Sequence, residues 1–378
     1  MKKIFIILSM FLLLCGCGKS KDNVVKKFQN KIEKSSSYTL KGTMSIVSNE
    51  DTFTYNVSAS KSKDDYYKVS LINSNNNHEQ VILKNKDGVY VVTPDLNKSF
   101  KFQSDWPNNG SQSYLLDVLL KDVLNDDNVH IGKEDKRYIQ CRVNYPNNNT
   151  LYSEKIYIDD NYDVKMVEVL DQDGNVKITL KVNSIDYKAK FDDNFFKLES
   201  LISEDENISD DNKNIKDSQD KTTTTTKKID DKNKDKTTDN KEQNTEENNT
   251  NKENQDESTG NILKDIVYPL YIPDNTKLSS EDTISTDNGN RAILTFSGDS
   301  PFVLIEEVSH RFDELEIIPV NGEPLILSDS VGAISDNSLY WTSNGIDYYL
   351  SSNSIDSREL MTIAEGLTGT SVIVSSEK

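Results

Sequence analysis

The chain has 378 residues, a net charge of -19 at pH 7, three cysteines and an aromatic content of 8%. This length leaves room for two domains of ordinary size. The acidic balance argues against nucleic-acid binding, because neutralising phosphates requires a basic face and the sequence shows none.

The first residues have the pattern of a secretion signal. Lys2 and Lys3 precede an apolar run from Ile4 to Leu14 that only Ser9 interrupts. This run is about eleven residues long, whereas a membrane-spanning helix needs about twenty. Residues 1–16 are therefore predicted to be a signal peptide that is removed.

The end of this segment predicts where the chain is cut and modified. Cys17 follows Leu14, Cys15 and Gly16, which gives small residues just before the thiol and a branched apolar residue at minus three. We predict cleavage after Gly16 and lipidation of Cys17 by diacylglycerol and palmitate; an ordinary secretory signal is the alternative. Such an anchor tethers the protein to the extracytoplasmic face of the cell membrane. Residues 17–21 would be a short lipidated spacer.

Cys141 is the one thiol that would remain after lipidation, so no intrachain disulfide is expected. It alternates with Ile139 and Val143 on the apolar face of a predicted strand. The favoured interpretation is a small buried residue. An intermolecular disulfide or a reactive thiol is the alternative.

Residues 22–200 read as a helix followed by meandering antiparallel strands. The helix has Val24, Val25, Phe28 and Ile32 at helical spacing, and the strands alternate apolar and polar residues. Asp87-Gly88 and Asp173-Gly174 are hairpin signals. A second helix is predicted from Gln112 to Leu124, between two runs of strands, where it can cover the concave face of a curved sheet.

Several of these features resemble the LolA-like lipoprotein-carrier superfamily and, within it, the Gram-positive sporulation and germination lipoproteins, the group that includes GerS. They are the Ser35 to Tyr38 segment, the long strands that follow it, the helix in mid-domain, and a last strand that ends at Ile185 before Phe195 and Phe196. The resemblance implies an α+β fold for residues 22–200: a curved antiparallel half-barrel with helices on its concave face. It implies no catalytic residue.

Residues 201–261 are acidic and rich in Thr, Asn and Lys, with a run from Thr222 to Thr226. Such a composition cannot bury enough apolar surface to offset the loss of chain entropy on folding. This segment is predicted to be a disordered linker. On that view the last part of the chain can move far from the first.

Residues 262–378 are predicted to be a small α+β domain. Asn321-Gly322 and Asn344-Gly345 indicate hairpins, and Pro319 and Pro324 place the first hairpin at a sheet edge. Asp356 with Glu359 indicates a helix N-terminus, and Val372 to Val374 a last short strand.

The segment from Tyr340 to Tyr348, with the helix after it, resembles a small domain of extracytoplasmic Firmicute proteins and the C-terminal domain of RseB/MucB regulators of envelope stress. Trp341 and Tyr348 could form a ligand platform, but packing of the hairpin on the helix is favoured. His78, His130 and His310 lie in unrelated contexts. We therefore predict no catalytic, cofactor-binding or metal-binding residue, and no enzyme.

Three functions remain open from the sequence. The favoured one is a membrane-anchored, non-enzymatic binding or scaffolding partner of an envelope protein, linked by the resemblance to sporulation or germination. The second is a carrier that holds a lipid or another hydrophobic ligand in the half-barrel. The third is an envelope-signal sensor, suggested by the order of the two domains.

Overall fold

A computed structural model describes residues 17–48, 51–202, 263–286 and 289–367. The predicted signal peptide, most of the predicted linker and the predicted strand from Val372 to Val374 lie outside these ranges. None of the helices in the described ranges is long and apolar enough to cross a membrane.

The first helix, α1, spans Cys17–Glu33. Val24, Phe28 and Ile32 are buried, as their helical spacing predicts. Residues 17–21, predicted to be a lipidated spacer before the helix, form the first turns of α1.

Eleven antiparallel strands of one curved sheet follow α1 in the chain. Their order across the sheet is β6-β5-β4-β3-β2-β1-β11-β10-β9-β8-β7. The first strand, β1, therefore lies inside the sheet and pairs with both β2 and the last strand, β11. The strands are β1 Tyr38–Ser48, β2 Asp51–Lys61, β3 Tyr67–Asn73, β4 Glu79–Asn85, β5 Gly88–Thr93, β6 Lys98–Phe102, β7 His130–Lys133, β8 Arg137–Arg142, β9 Leu151–Ile158, β10 Val164–Asp171 and β11 Val176–Asp186.

The second helix, α2, spans Leu116–Asn125. The prediction that it starts at Gln112 is wrong: Leu115 N–H bonds back to the Gln112 carbonyl at 3.1 Å, and the preceding residues form a turn. Apolar residues of α1 and α2 share one core with the concave side of the sheet. This arrangement confirms the predicted half-barrel with helices on its concave face.

The last part of the chain forms a second sheet of seven strands and a helix. The sheet has the order β12-β13-β14-β19-β18-β17-β16. The elements are β12 Thr276–Thr286, β13 Gly289–Gly298, β14 Phe302–Val308, β15 Glu316–Val320, β16 Glu323–Ile326, β17 Val331–Ile334, β18 Ser338–Ser343, β19 Ile346–Ser351 and α3 Ser357–Glu365.

Two predicted local signals in this part are confirmed. Asn344 (φ 50°) and Gly345 (φ 78°) both take the left-handed conformation that a tight hairpin between β18 and β19 requires. The Asp356 side chain accepts hydrogen bonds from the backbone N–H groups of Arg358 and Glu359, so it caps α3.

The predicted hairpin across Asn321-Gly322 is wrong. β15 does not pair with β16; it runs parallel to β6 and becomes the edge strand of the half-barrel sheet, whereas β16 is the edge of the other sheet. Both strands are edges, as Pro319 and Pro324 suggested. They are edges of different sheets, because the chain crosses from one sheet to the other at the turn.

The expectation that the last part of the chain moves far from the half-barrel also differs from the structure. Within the described ranges, residues 17–202 and residues 263–367 belong to one compact unit. Val331 and Ala333 lie in the same core as the half-barrel helices. The strand pairing of β15 with β6 and this shared core tie the two parts together.

Candidate functional site: a cleft at the mouth of the half-barrel

A cleft of about 260 Å³ lies where the half-barrel meets the last part of the chain. Most of its lining comes from three places: strands β1 and β11, the loops at residues 109–114 and 145–151, and the segment 323–328 together with α3. These residues are far apart in the sequence, and the pairing of β15 with β6 helps to hold them together.

One wall of the cleft is apolar. Met44 and Ile46 from β1 and Ile178 from the neighbouring strand β11 line it. In the β1–β11 pairing Ile46 lies directly opposite Ile178. Alternation along a strand sends such side chains to the concave face, and Ile46 and Ile178 stay half-buried because the cleft opens above them.

The opposite wall is the segment 323–328, and hydrogen bonds from the half-barrel fix the chain there. Tyr55 Oη donates to the Ser328 carbonyl at 3.0 Å. Gln80 bonds Val331 twice: its Nε2 donates to the Val331 carbonyl at 3.0 Å, and its Oε1 accepts from the Val331 N–H at 2.5 Å. Gln80 is buried, so both bonds are shielded from water.

A buried carboxyl group sits at this junction. Asp329 is 9% exposed, and its Oδ2 accepts a hydrogen bond from Ser343 Oγ. The Asp329 carbonyl accepts from Asn73 Nδ2 at 3.4 Å. Burial raises the pKa of Asp329 to about 6. The hydrogen bond from Ser343 acts in the opposite direction and lowers this pKa.

The polar end of the cleft is formed by the two loops, with Tyr114 and Tyr145. Burial is the largest cause that raises the pKa of both hydroxyl groups. Two carboxyl groups beside them are shielded as well: Glu154 is fully buried, and burial followed by the charge of Asp122 raises its pKa. Burial raises the pKa of Asp122 to about 6.

Cys141 belongs to this buried group. It is 2% exposed, and its Sγ donates to Glu154 Oε1 at 3.5 Å. Burial and the neighbouring carboxylates raise the pKa of the thiol, which keeps it in the unreactive neutral form. The favoured interpretation from sequence, a small buried residue, matches this position. An intermolecular disulfide would need β8 to open first.

Glu365, at the end of α3, and Lys177, at the start of β11, both line the cleft. Burial raises the pKa of Glu365 to about 7, and the charge of Lys177 lowers it. The cleft therefore offers one carboxyl group that can change its charge near neutral pH, next to an apolar wall.

The other residues considered from the sequence are not brought together. Cys17 is the first residue of α1, and His78, His130 and His310 lie on separate strands and loops. Within the described ranges, no group of three or more His, Cys, Asp or Glu side chains could hold a metal ion. Trp341 and Tyr348 stack with ring centroids 4.8 Å apart, and both are buried, so they pack in the core and form no open platform.

The group that positions α2 was not predicted from the sequence. Tyr38 Oη and Tyr67 Oη donate to the two oxygens of Asp117, at 2.8 and 2.6 Å. A signal was present, since Tyr38 and Tyr67 are at inward positions of their strands and their hydroxyl groups need partners there.

The fold and the cleft define a class of protein: an open half-barrel whose mouth is partly covered by a second sheet of the same chain. No family model matches the chain. The sporulation protein YdcC of Bacillus subtilis (strain 168) is 34% identical over 363 residues, which cover 95% of this chain and 94% of that protein. The chain therefore belongs to the family of this sporulation protein.

Similar solved structures include the LolA-like and MucB proteins that the sequence resemblance named. The MucA/MucB complex of Pseudomonas aeruginosa has a TM-score of 0.29 at 10% identity and covers 92% of this chain and 98% of that chain. The complex of the Clostridioides difficile CwlD amidase with the GerS lipoprotein has a TM-score of 0.27 at 20% identity and covers 44% and 96%. The LolA superfamily protein NE2245 of Nitrosomonas europaea has a TM-score of 0.27 at 11% identity and covers 46% and 98%. These superpositions are loose, and the family assignment rests on the match to YdcC.

Proposed function

We propose that this protein is a lipid-anchored extracytoplasmic binding protein that holds a protein partner of the cell envelope during sporulation and performs no catalysis itself. Membership of the YdcC family supports the link to sporulation. The observation that carries the proposal is the cleft, because its walls are fixed by buried hydrogen bonds and by a shared core, which gives a preformed binding site.

The size of the cleft favours side chains of a protein partner over a free ligand. Pockets that bury a drug-sized molecule usually measure about 300–1,000 Å³. The cleft, at about 260 Å³, is smaller than that. It can take one or two apolar side chains of a partner against Ile46 and Ile178, while the backbone of the partner lies along the opening.

A carrier of a lipid or another hydrophobic ligand is the second candidate function. The apolar wall of the cleft is the observation that favours it. The segment 323–331 opposes it, because this segment occupies part of the mouth through its bonds to Tyr55 and Gln80. The third function, an envelope-signal sensor, stays a prediction from the order of the domains.

Site-specific photocrosslinking in sporulating cells separates the two candidates. A photoreactive residue at Ile46 or at Leu325, both in the cleft, is expected to give an adduct whose digest contains peptides of one partner protein. The matched control is Leu124, which is 48% exposed on α2 and outside the cleft. Lipid adducts at both cleft positions would contradict the proposal and favour the carrier.

The anchor is tested separately. Replacing Cys17 by Ala removes the thiol that would carry the diacylglycerol, so we expect the protein to leave the membrane fraction. Cys15→Ala removes the neighbouring thiol and serves as the control, which we expect to stay in the membrane fraction. Release by Cys15→Ala with retention of Cys17→Ala would show that the anchor is on the other cysteine.

A further inference from the structure

The two sheets have four edges, and three of them are poor templates for another strand. β7 and β16 have four residues each and β15 has five; β15 carries Pro319 and β16 carries Pro324. Proteins limit unwanted strand addition by such short edges and by proline. The fourth edge, β12, has eleven residues and no proline; its one irregularity is a bulge between Leu278 and Ser280, and residues 280–286 pair regularly with β13.

β12 is exposed along almost its whole length. It pairs along one side with β13, and residues 277–285 are all exposed. About half of its backbone N–H and C=O groups point away from β13, because these groups alternate in direction along a strand. The described part of the chain places no strand against them.

A partly exposed apolar segment reaches this edge at Tyr268. It is the extended segment Tyr268, Leu270, Tyr271 and Ile272, and these side chains are 46%, 73%, 40% and 37% exposed. Tyr268 Oη donates to Glu281 Oε2 of β12 at 2.6 Å, which places Tyr268 next to the strand. Leu270 and Tyr271 lie against α3, because the Leu270 N–H bonds to the Gly366 carbonyl and Tyr271 Oη donates to Glu359. Leu278 and Ile284 of β12 are themselves 37% and 43% exposed.

The charges of β12 define what can pair with it. Glu281 and Asp282 lie in the middle of the strand, between Leu278 and Ile284, and Lys277 is its one basic residue. A second copy of β12 paired antiparallel about this centre would bring the two acidic pairs together, which is unfavourable. A strand with basic residues at the centre would meet opposite charge.

We propose that the free edge of β12 binds an extended segment of a protein partner by strand addition. The segment carries two adjacent basic residues opposite Glu281 and Asp282 and an apolar residue opposite Ile284, in the regular part of β12 that follows its bulge. Backbone hydrogen bonds to β12 supply much of the affinity, and the charged and apolar pairs supply specificity.

This surface is separate from the cleft. β12 and β16 are the two opposite edges of the seven-stranded sheet, with five strands between them. Of these two edge strands, only β16 lines the cleft. The inference therefore goes beyond the proposed function and does not depend on a partner in the cleft.

A charge-swap experiment on the complete mature chain tests the proposal. Two labelled peptides, TVTKRTTVT and TVTEETTVT, are titrated by fluorescence anisotropy into the natural protein and into the double variant Glu281→Lys, Asp282→Lys. We expect the basic peptide to bind the natural protein about tenfold more tightly than the acidic peptide, and the preference to reverse in the variant. The basic peptide is also expected to slow amide hydrogen exchange in residues 276–286.

The control is the double variant Asp193→Lys, Glu199→Lys, which makes the same charge change at exposed residues far along the chain from β12. We expect it to keep the preference of the natural protein. The proposal would be overturned if neither peptide binds. It would also be overturned if the natural protein and the Glu281→Lys, Asp282→Lys variant prefer the same peptide. A protein dimer that the β12 double variant dissociates would overturn it in favour of a second copy.

Discussion

Asp117 positions α2 inside the half-barrel. Its two carboxylate oxygens accept hydrogen bonds from Tyr38 and Tyr67, and Tyr38 Oη in turn accepts from the Leu116 N–H at 3.1 Å. The first turn of the helix is therefore held by the two strands that carry the tyrosines. A negative charge here also suits the positive end of the helix dipole.

Replacing Asp117 by Ala leaves two buried tyrosine hydroxyl groups without their acceptor. We expect the free energy of unfolding to fall by about 3 kcal/mol, measured by urea denaturation. Asp173→Ala, at an exposed turn position, is the matched control and should change stability by less than about 0.5 kcal/mol. Equal losses in both variants would show that the tyrosine contacts do not hold the helix.

Glu306 is another buried carboxyl group, in the core of the seven-stranded sheet. It is fully buried, and its Oε2 accepts from the Val267 N–H at 3.0 Å. Burial raises its pKa from 4.5 to about 7, and the bond from Val267 lowers it. Glu365, Asp122 and Asp329 are raised by burial too, to about 7, 6 and 6.

An acid whose pKa is raised on folding makes the folded state less stable as the pH rises. The folded state keeps a proton that the unfolded chain releases above pH 4.5, so folding becomes less favourable as the pH rises from about 4.5 to about 7 and then levels off. We expect the protein to unfold at a lower urea concentration at pH 8 than at pH 5. Greater stability at pH 8 would contradict these assignments.

In the variant Glu306→Gln the side chain at this position is neutral at every pH. We expect the variant to lose the part of the pH-dependent loss of stability that Glu306 causes. A shift from 4.5 to about 7 corresponds to about 3 kcal/mol between pH 5 and pH 8. The pH dependence of stability is therefore expected to flatten in this variant. Glu199→Gln, on the surface, is the control and should keep the dependence of the natural protein.

At the scale of the elements, β15 decides how the two parts of the chain are joined. It runs parallel to β6, with Ile318 opposite Phe100 and Ile317 opposite Ser99. Ile318 packs against the core of the half-barrel, whereas Ile317, one residue earlier, is 42% exposed. The hydrogen bond from the Glu316 N–H to the Asn97 carbonyl, at 2.8 Å, fixes the start of the pairing.

Ile318 and Ile317 make a matched pair of variants because they point to opposite faces of one strand. Ile318→Asp places a charge against the shared core and is expected to cost about 2 kcal/mol or more. It should also speed amide exchange in residues 98–102. Ile317→Asp should change both measurements little, and equal effects of the two variants would argue against the pairing of β15 with β6.

The sequence predicted most elements but not how distant ones meet. Alternation gave the strands of the half-barrel, and local chemistry gave the turns at Gly88 and Gly345 and the cap at Asp356, because these features depend on neighbours in the chain. The prediction from local sequence failed at Asn321-Gly322, because the same turn signal fits both a hairpin and a crossing between two sheets. No local pattern marks β6 as the partner of β15.

In the whole molecule, the candidate site could not be predicted from the sequence either, because local patterns do not show which distant elements meet. The cleft draws on Met44, Ile178, Leu325 and Glu365, which no periodicity or motif connects. It exists only when the last part of the chain docks on the half-barrel. A partner in the cleft would therefore contact both parts at once, and the edge of β12 at the far side of the second sheet stays available to another protein.

A cut between the two parts tests most directly whether they form one preformed site. A protease site inserted between residues 239 and 240 lets the chain be cut after folding, and the products are then run on a size-exclusion column under native conditions. Because β15 pairs with β6 and the two parts share a core, we predict that the fragments elute together as one particle. Fragments that separate would show that the parts move independently and that the cleft is not a preformed site.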